Sequence, residues 1–235
     1  MFTIIIYTYI TLYIDKHNTV SLSTSRYINA SFVDIPSKHS FIATQGPIDS
    51  SIEDFWQMVY DYDISLIIML CSLSEKGRTK CANYWNEDHP KLSFSIKVTS
   101  DKKVNSYLKT RTFVLKDKHG KTKQVNQLHF IGWPDHGVPN VNEVYDTFIQ
   151  MIKIVKSTTK PVAVHCSAGV GRTGTFISMY NLYYELLAMK NEYTFSVFNL
   201  VRKLKEMRLF LVENVLQYKF LYGFIAVLLG KLFEC

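Results

Sequence analysis

Two periods of apolar residues run along the chain. Short runs rich in Ile, Val, Phe and Tyr predict strands at 26–33, 40–44, 64–70, 92–100, 106–115, 123–131 and 161–165. Apolar residues spaced three and four apart predict helices at 51–62, 141–157, 172–188, 194–207 and 214–229. Asp49-Ser-Ser-Ile before EDFWQMV reads as a helix N-cap, and Asn140 reads the same way before VNEVYDTFIQMI. The interleaved order predicts an α/β (α+β) fold, a highly twisted mixed sheet flanked by helices.

With 235 residues, 47% of them hydrophobic, the chain can bury one substantial core, so a single domain over 1–235 is expected. No linker, repeat or low-complexity tract divides it. The apolar N-terminal run MFTIIIYTYITLYI is shorter than the ~20 residues a spanning helix needs and lacks the basic start of a secretory signal. It reads as a buried strand, with a membrane-touching segment as the alternative. YKFLYGFIAVLLGKLF, at 218–233, reads as the last core helix rather than a membrane contact.

The net charge of +7 is spread along the chain and no nucleic-acid module is visible, which argues against DNA or RNA. A basic surface near an anion site would instead attract acidic phosphopeptides. The four cysteines, at 71, 81, 166 and 235, have neither metal-ligand spacing nor the pattern of a disulfide framework.

The chemistry concentrates at 161–174, PVAVHCSAGVGRTG. An apolar strand delivers His165 and Cys166 to a turn of small residues, Ser167, Ala168, Gly169, Val170 and Gly171. Arg172 and Thr173 follow at the start of a helix. Successive backbone N–H groups in such a turn form an anion-binding nest. The helix N-terminus adds about half a positive charge, and the Arg172 guanidinium offers a planar fork to two phosphate oxygens. A cysteine in that field is suited to act as a thiolate nucleophile. Such a nucleophile needs a reducing compartment, so the cytosol is expected. Gly169, Gly171 and Gly174 also fit a dinucleotide fingerprint, with Glu192 further on. That reading leaves Cys166 and Arg172 without a role.

HCSAGVGRTG resembles the active-site loop of the protein tyrosine phosphatases, and HFIGWPDHGVP, at 129–139, resembles that family's mobile acid loop. RYINASF (26–32), FIATQGP (41–47), DFWQMVY (54–60) and SEKGRTKCANYW (74–85) agree, so the likeness covers about 26–222. It implies phosphotyrosine hydrolysis through a phosphocysteine on Cys166, with no cofactor and no metal. Arg172 and the loop amides would hold the phosphoryl oxygens, and Thr173 would hydrogen-bond the thiolate. Asp135 would protonate the leaving phenol, and activity should then be bell-shaped in pH. Trp133, Pro134, Gly137 and Pro139 would anchor and hinge its loop. His165 would orient the cysteine through backbone contacts. Tyr27, Asn29 and Arg208 match framework positions, Arg208 as a brace for the cysteine loop. Glu75 and Lys80 would tie the arginine to the acid loop, or else are solvated hairpin charges.

Two departures from the family pattern stand out. The glutamine that positions the hydrolytic water falls at Glu213, with Gln217 matching a second glutamine one helical turn on. The loop that sets pocket depth is replaced by YTYITLYIDKHNTV, where Tyr9 is the best aromatic wall and Tyr7 and Tyr13 compete. The expected function is therefore a phosphotyrosine hydrolase, expected as a monomer acting on phosphotyrosine proteins. The alternative is a slow or inactive module that captures them. A lipid phosphatase, suggested only by the apolar ends, comes third. The short N-terminus and Ile/Tyr/Asn/Lys-rich composition are similar to the tyrosine phosphatases of bracoviruses, which would place the action in host cytoplasm.

Overall fold

The computed structural model describes residues 18–35, 39–86, 93–134, 137–188 and 196–233. Its strands are β1 (Thr19–Ser21), β2 (Tyr27–Asp34), β3 (Ser40–Thr44), β4 (Leu66–Met69), β5 (Ser74–Glu75), β6 (Arg78–Thr79), β7 (Ser95–Lys103), β8 (Leu108–Lys116), β9 (Thr122–Phe130) and β10 (Val162–His165). The helices are α1 (Ile52–Asp61), α2 (Val141–Ser157), α3 (Gly171–Ala188), α4 (Val197–Met207) and α5 (Val215–Phe233).

Eight strands form one mixed sheet in the order β1-β2-β3-β10-β4-β9-β8-β7, and β5 and β6 make a separate small hairpin. The strands β3, β10, β4 and β9 are mutually parallel, while both flanks of the sheet are antiparallel. Strands β4 (LIIM) and β10 (VAVH) are buried along their whole length, as strands covered on both faces must be. The sequence predicts the large strands and all five helices to within a few residues. It does not anticipate β1 or resolve the β5–β6 pairing, because two- and three-residue strands leave no periodic signal.

Helix α3 is buried nearly all round, with Phe176, Ile177, Met179 and Leu182 fully enclosed, which marks it as the central helix. Helix α5 seats Phe220, Leu221, Phe224, Ile225 and Leu228 in the core. Each such side chain contributes about 1.5–3 kcal/mol by leaving water. Among the described residues Val215–Leu232 is the one helix apolar and long enough to cross a membrane, with mean hydropathy 1.4, and 33% of it is buried.

The N-terminal signals divide. Asn140 caps α2, its side chain accepting from the Asn142 N–H at 3.1 Å. Asp49–Ser51 instead form a 3-10 turn, and Ser51 bonds the Ile48 backbone rather than capping α1.

Candidate active site

The parallel strands end in register, so that Thr44, His165, Met69 and His129 form one row across β3, β10, β4 and β9. The loops leaving that row meet at the carboxyl edge of the sheet, where α/β folds place ligands. From β10 the chain passes directly into Cys166, which is 5% exposed. Thr173, on the first turn of α3, donates its hydroxyl to Cys166 Sγ at 3.3 Å. No acceptor among the described residues meets the N–H groups of residues 167–172. Those amides and the α3 N-terminus are therefore available to an anion, as the nest reading expects. Gly169 makes the turn possible: its φ is +71°, and a Cβ there would overlap the Thr44 carbonyl.

Two arginines serve this loop differently: Arg208 bonds its carbonyls, and Arg172, which closes it, bonds neighbouring segments. Arg208 is 2% exposed and lies underneath. Its Nε donates to Gly169 O at 2.8 Å and its Nη2 to Ala168 O at 3.4 Å. The other contacts reach β2, with Nη1 to Ser31 Oγ at 3.0 Å and Nη2 to Asn29 Oδ1 at 2.9 Å. Burial pulls Arg208 down to about 10, so it stays charged at neutral pH. Every one of these partners is uncharged, so among the described residues no carboxylate pairs with Arg208 to cancel the charge it presents to Cys166.

Arg172 sits above. Its Nη1 and Nη2 pair with the two Glu75 oxygens at 2.5 and 2.8 Å. The remaining Nη contacts are Leu70 O at 3.3 Å and Pro134 O at 3.2 Å. Burial opposes the Arg172 charge, and Glu75 more than offsets it, holding the guanidinium above its ordinary value. Glu75 is thus a buried partner of Arg172, not a solvated hairpin charge. Through Pro134 the arginine also touches the acid loop. Lys80 lies half-buried on the return of the same hairpin, its N–H donated to Leu73 O at 2.8 Å.

His165 is fully buried, and that burial lowers it to about 4, so it is neutral at physiological pH. Its Nδ1 lies 3.2 Å from Cys166 O and its Nε2 2.9 Å from the Tyr84 hydroxyl. Its ring thus spans from the cysteine backbone to Tyr84.

The acid loop is pinned by Trp133. Its ring packs among Phe130, Phe148 and Phe220, and its Nε1 donates to Gly137 O at 3.2 Å. Gly137 turns at φ +90°. Asp135 lies outside the described residues, as do Tyr7, Tyr9 and Tyr13.

Glu213 and Gln217 meet over Gly171. A Cβ on that glycine would lie 2.7 Å from both Glu213 Oε2 and Gln217 Nε2. Gln217 Oε1 accepts the Glu213 N–H at 2.9 Å, which turns the Gln217 amide donor toward the loop. Arg208 bonds the loop and Asn29 bonds Arg208, whereas Tyr27 is 56% exposed and lines a small groove rather than the core. Sequence reasoning missed Tyr84, Arg111, Gln127 and His129, which continue inward from His165. The available signal was Gln127 and His129 at alternate positions after Val125, which places them on its face of the strand.

The family model "Protein-tyrosine phosphatase" matches residues 8–227. Mouse receptor-type tyrosine-protein phosphatase eta is 37% identical over 206 residues, 85% of this chain and 16% of that protein. Rat phosphatidylinositol phosphatase PTPRQ is 37% identical over 220 residues, 90% of this chain and 9% of that protein. Mouse tyrosine-protein phosphatase non-receptor type 18 is 33% identical over 87% of this chain and 46% of that protein. The chain therefore spans less than half the length of these relatives. The solved catalytic domain of human non-receptor type 18 superposes with a TM-score of 0.82 at 31% identity, covering 91% of this chain and 80% of that one. PTPN18 in complex with HER2-pY1196 phosphopeptides gives 0.81 over 90% of this chain and 77% of that one. A cysteine loop at the carboxyl edge of a mixed sheet, closed by one arginine and braced by another, accompanies a family match over most of the sequence: this chain belongs to the protein-tyrosine phosphatase family.

Proposed function

We propose that the chain hydrolyses phosphotyrosine in proteins, with Cys166 as nucleophile and Asp135 as general acid. The observation that carries this is Cys166 itself, set against unpaired loop amides, the Thr173 hydroxyl and the uncancelled Arg208 charge. In the first step the thiolate attacks phosphorus, the S–P bond forms and the P–O bond to tyrosine breaks. The departing phenol, with a pKa of about 10, takes a proton from Asp135. Charge on the equatorial oxygens is met by the amides of 167–172 and by Arg172, whose Nε is its donor not already spent on Glu75, Leu70 or Pro134. In the second step water attacks phosphorus and gives a proton to the now ionised Asp135, the S–P bond breaks, phosphate leaves, and the Thr173 hydroxyl supports the returning thiolate.

Glu213 makes that second step the slower one, since a carboxylate over Gly171 repels the phosphoryl group and misplaces the water, while Gln217 partly compensates. Tyr9 would form the aromatic wall that favours phosphotyrosine over the shorter phosphoserine. The partners are phosphotyrosine proteins, as PTPN18 is seen with HER2 phosphopeptides. The cytoplasm is the compartment that keeps Cys166 reduced, that of a host cell if the source is viral.

The test is hydrolysis of a phosphotyrosine peptide by wild type and Cys166→Ser, beside a phosphoserine peptide and a phosphoinositide. Turnover of the phosphotyrosine peptide that the variant loses supports the proposal. Equal rates on phosphoserine would overturn the selectivity, and a preference for the phosphoinositide would follow PTPRQ's name instead. A bound but unhydrolysed phosphopeptide would make the chain a capture module.

A further inference from the structure

Beneath the row of strand ends lies a buried chain of polar groups whose directions can be deduced one by one. Arg111, on β8, is 6% exposed, its Nε paired with Asp101 Oδ2 at 2.8 Å and its guanidinium 4.4 Å from the centre of the Trp85 ring. Its Nη1 reaches Gln127 Oε1 at 2.7 Å and His129 Nδ1 at 3.1 Å. Arginine has donors and no acceptor. Gln127 Oε1 must therefore accept, which fixes the amide and leaves its Nε2 donating to the Tyr84 oxygen at 2.6 Å. That amide takes one Tyr84 lone pair, and the nearer acceptor for the Tyr84 hydrogen is His165 Nε2, 2.9 Å away, against the Met69 sulfur at 3.9 Å. His165 then carries its proton on Nδ1 and donates it to Cys166 O.

The second arm obeys the same rule. His129 Nδ1 must accept from Arg111, so its Nε2–H donates to Cys71 O at 2.8 Å. Cys71 follows Leu70, whose carbonyl holds Arg172. Burial lowers both histidines to about 4, which keeps them neutral and makes their tautomers the remaining variable.

We propose that Arg111, acting through Gln127 and Tyr84 on one side and directly on the other, is a positioning residue that sets the tautomers of His165 and His129. It thereby orients the carbonyls of Cys166 and Cys71 on the two sides of the phosphate cradle. A tautomer fixed by a distant donor aligns the loop without touching substrate.

The tautomers can be read by ¹⁵N NMR, and the activity arm alone rests on the phosphatase reading above. The wild type is expected to show His165 as Nδ1–H and His129 as Nε2–H. Gln127→Glu keeps the Arg111 partner but cannot donate, so it captures the Tyr84 hydrogen and reverses the relay. The expected result is a shift of His165 toward Nε2–H, with His129 unchanged. With it, kcat on a phosphotyrosine peptide should fall about 10- to 100-fold, the scale of lost outer-shell partners. A folded Gln127→Glu protein that keeps Nδ1–H on His165 would overturn the proposal, whatever its rate. If that variant does not fold, Tyr84→Phe removes the donor to His165 alone, and an unchanged single tautomer there would overturn it equally.

Discussion

Arg172 closes the five-residue turn after Cys166 and Arg208 braces it, yet the two sites obey different rules. Arg208 is enclosed and spends its donors on two loop carbonyls, an amide oxygen and a hydroxyl, all neutral and all fixed. Arg172 is half-buried and leans on one carboxylate and two carbonyls, with Pro134 O belonging to the acid loop. Below the turn, then, a cation is a brace whose charge is left uncancelled. Above it, a cation is held in position by the carboxylate of Glu75. Neutral partners preserve a field, and a charged partner restrains a side chain at the cost of part of that field.

The contrast is tested hardest by Arg172→Lys. Lysine keeps the charge but cannot present a planar fork or pair bidentately with Glu75. Turnover of a phosphotyrosine peptide should fall by about 10²–10³, as when one oxyanion donor is removed elsewhere, while thermal stability changes little. A loss below tenfold would mean that the loop amides alone carry the phosphoryl group.

Arg208→Met asks the opposite question. Four buried acceptors lose their donor at once, Gly169 O, Ala168 O, Asn29 Oδ1 and Ser31 Oγ. At about 1–3 kcal/mol for an orphaned group, and less than additively, a destabilisation of about 3 kcal/mol is expected. Urea melts would measure it. If the variant kept wild-type stability, the brace would be redundant.

These two sites were unequally legible in the sequence. Cys166, Arg172 and Thr173 sit within eight residues, so local chemistry was enough to group them. Glu75 could not be assigned, because its burial depends on Arg172, 97 positions away, and SEKGRTK alone suits an exposed hairpin equally well. The strands were recognisable from their apolar runs. Their order was not, since β10 enters between β3 and β4 from more than 90 residues later in the chain. The Arg111 relay was hidden for the same reason. Arg111 and Gln127 are cross-strand partners in β8 and β9, a pairing that only the register creates.

Glu213 adds an exposed carboxylate over Gly171, beside Arg172 in the chain. Glu213→Gln removes the repulsion over Gly171 while keeping the shape of the side chain. Rapid-quench trapping should show a phosphoenzyme burst in the wild type that shrinks in the variant. Steady-state turnover should rise a few-fold. An unchanged rate with no burst in either protein would clear Glu213 of any role in the second step.

The smallest effect comes from an ion pair that shares neither protection. Asp63 lies at the end of α1, bonded to Lys123 Nζ at 2.8 Å and Lys160 Nζ at 2.6 Å, with 61% of its side chain exposed. Hydrogen bonds from the two lysines, Lys123 first, lower its carboxyl from 3.8 to about 2. A carboxyl depressed in the folded state stabilises the fold fully above its unfolded value and loses that contribution as pH falls through the folded one. The window therefore runs from near pH 4 down to about 2. Solvent screening limits the contribution to under about 1 kcal/mol. Melts of wild type and Asp63→Asn should differ by that amount at pH 7 and converge near pH 2. Arg208 offers the contrast, because it does not titrate in that window and its acceptors are neutral. A difference between wild type and Arg208→Met should thus persist where the Asp63 difference has vanished. Parallel loss of both would mean that acid unfolding, not the ion pair, sets the curve.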